Sequence, residues 1–227
     1  MTEFLVALGA FLLAHAIPPL PPIRGGLVSR LGRRLYLILY SGLSLVLIAW
    51  LISAAMRAPY LPLWTPLPWH AAIPVIVMPV ALWLAIGGLA EANPLSVSIR
   101  SADAMAEPGP MAAITRHPVL WAFLLWSGAH IPPTSHAVAL ILFGGMALLA
   151  LAGMFALDRR ARKRLGGERW AALAARAPLL PFAGVARGTV GLSSFLAWPA
   201  AATVLIYLWF LLDGHRRLIG PDPLAML

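Results

Sequence analysis

The chain has no cysteine at all among its 227 residues, and only 8 of them are Asp or Glu. The first absence excludes disulfides, thiolate zinc sites, iron–sulfur clusters and a thiolate haem ligand. Any metal would be held by nitrogen, oxygen or methionine sulfur. Charge of either sign is scarce: 11% of residues are charged while 61% are hydrophobic, with a mean hydropathy of +0.85. Such a chain cannot cover a water-facing surface with polar groups, which excludes an ordinary soluble domain and indicates an integral membrane protein. The net charge of +9 is assigned to topology and lipid head groups, not to nucleic acid.

What is present is a series of apolar runs, at residues 4–18, 35–55, 71–90, 118–131, 136–157 and 192–212. A span takes roughly 20 residues, so the expected fold is an all-α polytopic bundle of about six transmembrane helices in a single domain, residues 1–227. The first run could pass for a signal peptide. It opens on Thr2-Glu3 and ends in Ile17-Pro18-Pro19-Leu20-Pro21-Pro22, without a basic n-region or small cleavage residues, and is expected to be retained as a helix.

The arginines set an expected orientation, because cytoplasmic loops keep Lys and Arg. With the N-terminus outside, the inner loops hold Arg24, Arg30, Arg33 and Arg34; then Arg100 and Arg116; then Arg159, Arg160, Arg162, Lys163, Arg164, Arg169, Arg176 and Arg187. Those are fourteen of the 17 basic residues, leaving Arg57, Arg216 and Arg217 outside. The expectation is N-out, C-out. The longest inner loop runs from Asn93-Pro94 to Gly109-Pro110 and carries Arg100, Asp103 and Glu107. Residues 168–176 read as an interfacial amphipathic helix on the cytoplasmic side, with Trp170 as its anchor. The outer loop with Pro59, Tyr60, Pro62, Trp64, Pro66, Pro68 and Trp69 reads as a stiff aromatic collar.

Two histidines lie deep in this arrangement. At about 1.5 Å per residue, His15 falls roughly 17 Å below the outer boundary and His130 about 18 Å above the inner one, in a core about 30 Å thick. His117 belongs to the inner surface beside Arg116, because 13 residues of helix hold it about 20 Å from His130. A buried histidine can simply bond a carbonyl or a serine of a neighbouring helix, such as Ser127, Ser41 or Ser44. A matched pair in a cysteine-free bundle points instead to bis-histidine haem b, with Arg116, Arg33 or Arg34 available to propionates. No Asp or Glu in the spans completes a non-haem ligand set. His70 and His136 fall at outer helix ends and His215 in the tail. Glu91 reads as a helix cap or an arginine partner.

Five blocks carry a resemblance: "AHAIPPLPPIR", "GRRLYLILYSGLSL", "NPLSVSIR", "ITRHPVLWAFLLWSGAH" and "LFGGMALLALAGMFALDRRARKRLGGERWAALAARAPLLPF". In order and spacing they resemble the NnrU family of bacterial inner-membrane proteins, over a core of residues 1–182 that leaves the last helix, 192–212, outside it. That family is associated with nitric oxide and nitrite metabolism, and it is similar to plant 15-cis-zeta-carotene isomerase, a haem b enzyme. The resemblance implies haem ligation by His15 and His130, acting on a polyene or on a small gas. The relative's cysteine three positions before the second histidine is Ser127 here, and the family's Asn-Gly-Asp turn after it is "IPPTSH", which brings His136 into question as a newcomer to the site. "RHPVLW" with "GGERWAALAARAPLLP" also resembles isoprenylcysteine carboxyl methyltransferases, which implies S-adenosylmethionine held by Arg116, His117 and Glu168. A non-catalytic membrane accessory role stays open beside both.

Overall fold

The computed structural model describes residues 1–18, 20–100, 107–188, 198–225 and 227. Asp103 and the first residues of the last apolar run, 192–197, lie outside them. The described chain is all-helical; its one β-type contact is an isolated antiparallel bridge between Pro62 and His136. It divides into two compact units: Met1–Pro62 with His136–Val138, and Leu63–Ser135 with Ala139–Leu227.

The first unit is a helical hairpin of α1 (Thr2–Ala16) and α2 (Pro21–Arg57). Its direction is fixed where the start of α1 meets the end of α2: Glu3 accepts from Arg57 at 2.5 Å and from Trp50 at 3.3 Å. The sequence reading left Arg24, Arg30, Arg33 and Arg34 in a loop. Instead they are helical, because Pro21 and Pro22 supply the fixed φ of a helix start and the chain winds on from there. Gly32 breaks the line of α2 with φ +75°, a left-handed conformation that a residue without Cβ adopts without strain.

The second unit holds α3 (Pro68–Ala90), α4 (Pro110–Ile114), α5 (Pro118–Thr134), α7 (Gly167–Arg176), α8 (Ala183–Ala186), α9 (Trp198–Trp209) and α10 (His215–Leu218), with a π-helical turn at Phe210–Gly214. The long α6 (Ala137–Leu165) belongs to it from residue 139 onward. Proline opens α3, α4 and α5, where a missing N–H costs nothing. Helices α3 and α5 pack along their lengths, and α9 packs on α3. At Gly88 a Cβ would lie 2.7 Å from the Pro118 ring, so the two backbones approach closely there. Leu84, Met111, Ile114 and Ala122 form one buried cluster, and Leu95, Ala161, Leu173 and Ala177 form a second.

Helices α2, α3 and α6 are long and apolar enough to cross a membrane. Large side chains such as Leu45, Ile76 and Leu205 are exposed on α2, α3 and α9. In lipid that exposure costs nothing, which is why so apolar a surface is stable on these helices. Helix α7 matches the expected amphipathic helix, but Trp170 does not project as a free anchor. Its ring packs against the Leu95–Leu173 cluster and lies under the guanidinium groups of Arg116 and Arg162, at 5.9 and 5.8 Å.

Candidate functional site

His15 sits in the last turn of α1. Its Nδ1 lies 2.8 Å from the Phe11 carbonyl oxygen. A carbonyl can only accept, so Nδ1 carries the proton and, in the neutral ring, Nε2 keeps its lone pair. The ring meets the edge of Tyr40 at 5.9 Å, and Tyr40 in turn stacks on Tyr36. An open groove of about 370 Å³, lined by Phe11, Tyr40, Ser41, Ser44, Leu45 and Ile48, runs along the His15 side chain.

His130 is arranged the same way in α5. Its Nδ1 donates to the Trp126 carbonyl at 2.7 Å, and its half-buried ring stacks on Phe143 at 5.4 Å. Of the serines offered as alternative partners, Ser127 donates to Phe123 at 2.6 Å and Ser44 to Tyr40 at 2.8 Å, each one turn back in its own helix. Each imidazole is therefore oriented by its own helix, through one carbonyl, with Nε2 turned to other use. Metal-bound histidines characteristically have one ring nitrogen donating to such a fixed acceptor. Each imidazole, taken by itself, thus offers the nitrogen donor that a haem iron would take.

Arg116 and His117 form a different constellation. Proline at 118 bars the α conformation from the residue before it, so His117 caps α5 at φ −124°, ψ 58°, and its ring is fully buried. Nδ1 lies 2.9 Å from Ser96 Oγ and Nε2 lies 3.1 Å from Asp158 Oδ1. The Asp158 carboxylate also receives Arg116, with Nε at 2.9 Å from Oδ1 and Nη2 at 2.6 Å from Oδ2. Burial pushes the His117 pKa below the ordinary 6.5, and neighbouring Arg116 pushes the same way, against Asp158. The segment is tied down on all sides: Arg116 N–H donates to Pro178, Thr115 Oγ1 to Leu179, and Asn93 Nδ2 to the Arg116 carbonyl.

The acid beside Arg116 and His117 is Asp158, not Glu168, which lies in the exposed first turn of α7. Sequence reasoning missed Asp158. Its one signal was an acid standing at the head of "DRRARKR", where a run of bases would otherwise be unbroken. Arg116, expected to be free for a propionate or a cofactor carboxylate, spends three hydrogen bonds on that carboxylate. Glu91 is a cap as expected: its carboxylate accepts from Met111 N–H at 2.9 Å and Ala112 N–H at 3.1 Å at the start of α4. Burial raises its pKa against those two bonds. His70 Nδ1 accepts from Leu67 N–H at the start of α3, and His136 packs on the Tyr60 ring at 5.2 Å.

The comparison with known families decides the identity. A family model described as "NnrU protein" matches residues 3–223. The chain belongs to the NnrU family. Membership and the apolar helices together make it a membrane protein. No curated protein and no solved structure matches it. The NnrU match takes in both His15 and His130, the Arg116–His117 pair and Asp158.

Proposed function

We propose that this NnrU protein is a six-span, N-out, C-out protein of a bacterial inner membrane that holds haem b through His15 and His130. One observation carries the reading: both imidazoles have Nδ1 engaged by the carbonyl four residues back, which leaves Nε2 as the available donor. By helix rise, each ring falls near the middle of a core about 30 Å thick. Haem b, when bound, would supply one-electron or ligand-exchange chemistry. The chain's own part is to hold the two imidazoles in fixed orientation, each through its own helix.

The role that fits is a redox or gas-responsive step in nitric oxide and nitrite metabolism; action on an apolar polyene is the second form of the same reading. With no cysteine in the chain, a thiolate cannot exchange with histidine as a ligand. The S-adenosylmethionine alternative asks Arg116 and His117 to meet a cofactor, and both are committed to Asp158. The test is a visible spectrum of detergent-purified protein expressed with haem supplied, air-oxidised and then dithionite-reduced. A Soret band with sharp reduced α and β bands is expected. A featureless spectrum overturns the haem reading.

A further inference from the structure

The Asp158 carboxylate faces two donors and only accepts, so the hydrogen on the His117–Asp158 contact belongs to Nε2. Burial lowers the His117 pKa and so favours the neutral ring, the form a general base takes. Nδ1 must then hold the lone pair, and the Ser96 hydroxyl, 2.9 Å away, is the donor. Hydroxyl, imidazole and carboxylate thus stand in the order nucleophile, base and orienting acid, the arrangement by which such triads are recognised on unrelated folds.

We infer that Ser96 is an activated nucleophile, with His117 as its general base, directed at carboxylic esters that carry an apolar chain. Asp158 is a positioning residue: it fixes the ring tautomer and is itself fixed by Arg116. The surroundings suit that substrate class. Ser96 follows the end of α3, a helix fit to cross a membrane, by six residues, which puts it at the headgroup level. Its side chain is part-exposed while His117 beneath it is not, and the neighbouring Val97 and Ile99 are 42% and 79% exposed. Those two offer an apolar surface to an acyl chain. The loop itself is set by Asn93, whose Oδ1 accepts from Leu95 N–H at 2.9 Å while Nδ2 holds the Arg116 carbonyl.

The chemistry balances without a further reagent. Ser96 Oγ bonds to the ester carbonyl carbon as its proton passes to His117 Nδ1. The ester C–O bond then breaks, and the departing alcohol takes that proton. Water, deprotonated by the same nitrogen, releases the acid and restores the hydroxyl. None of this involves His15, His130 or haem, so the inference stands or falls apart from the haem reading.

The test is labelling of the full-length protein in detergent with a fluorophosphonate, read by intact mass and peptide mapping, beside hydrolysis of p-nitrophenyl octanoate. One adduct on Ser96 is expected, absent in Ser96→Ala, with the labelling rate of His117→Gln lower by about 10²–10⁴-fold. Asp158→Asn, by releasing the tautomer, is expected to slow labelling and move its pH profile, which a merely structural role would not do. Size-exclusion profiles and helical circular dichroism confirm that each variant is folded. An unlabelled Ser96 in folded wild-type protein overturns the inference, as does equal labelling and ester turnover in Ser96→Ala.

Discussion

The Tyr207 hydroxyl donates to the Val75 carbonyl at 2.7 Å, where Pro79 has no N–H to give. An α-helix closes each carbonyl with the N–H four residues on, and proline at 79 leaves that of Val75 open. In lipid an open carbonyl is costly, and a neighbouring helix supplies the missing donor. The pairing therefore explains both a proline tolerated in the middle of α3 and the seat of α9 upon it.

Tyr207→Phe is accordingly expected to lower stability by about 1 kcal/mol, the scale of an interhelical hydrogen bond in a membrane protein. Thermal unfolding in detergent, followed by circular dichroism, reads it directly. The double variant with Pro79→Ala is expected to recover most of the loss, since the backbone then satisfies Val75 itself. Two losses that simply add would refute the pairing.

Asp158→Ala strands both Arg116 and His117. The carboxylate and the guanidinium are only 15% and 13% exposed, so the loss is expected near the lower end of the about 3–5 kcal/mol seen when one partner of a buried pair is removed. Replacing both charges together, Arg116→Met with Asp158→Leu, is expected to cost less than Asp158→Ala alone. Comparing their midpoints of thermal unfolding checks the order.

Stability should also depend on pH through His117. Its folded pKa lies below the ordinary 6.5, so the unfolded chain binds the proton more readily. The contribution is complete above pH 6.5 and is lost as pH falls toward the folded value, by at most about 1.4 kcal/mol per pH unit. Unfolding midpoints of wild type and His117→Gln between pH 7.5 and 5.5 give the test. The wild type should fall more steeply; equal slopes would mean that burial of His117 does not control the titration.

His130→Ala and His15→Ala should each abolish the six-coordinate haem spectrum, while His117→Ala leaves it intact. Absorption of the reduced purified variants separates these outcomes. Loss of the spectrum in His117→Ala with retention in His130→Ala would reverse the ligand assignment.

Gly32→Ala places a Cβ in the left-handed conformation that breaks α2, at an expected cost of about 1–2 kcal/mol. Open space surrounds the position, so the cost is one of backbone strain and not of collision. Gly42→Ala, a helical site in the same element with nothing near its added Cβ, is the control expected to stabilise slightly or not at all.

Much of the architecture was legible because it is written locally. Apolar runs longer than a few turns and the amphipathic pattern of residues 168–176 are properties of adjacent residues, whereas Pro21 and Pro68, which open helices, were read as the end of a run and as part of a loop. The same locality gave the candidate histidines their positions, and the bond from each Nδ1 to its own helix also spans only four residues. The arginines of residues 24–34 were misjudged as loop for a related reason: polarity breaks a span, but it does not break a helix.

By itself, then, the sequence determined an apolar all-helical membrane protein and two histidines set within helices. Only the tertiary structure decided which polar groups meet. Asp158 reaches His117 across 41 residues of chain and Tyr207 reaches Val75 across 132. Periodicity and backbone restrictions are properties of adjacent residues, whereas a polar group in an apolar interior must be satisfied by whatever the packing of distant helices brings within 3 Å.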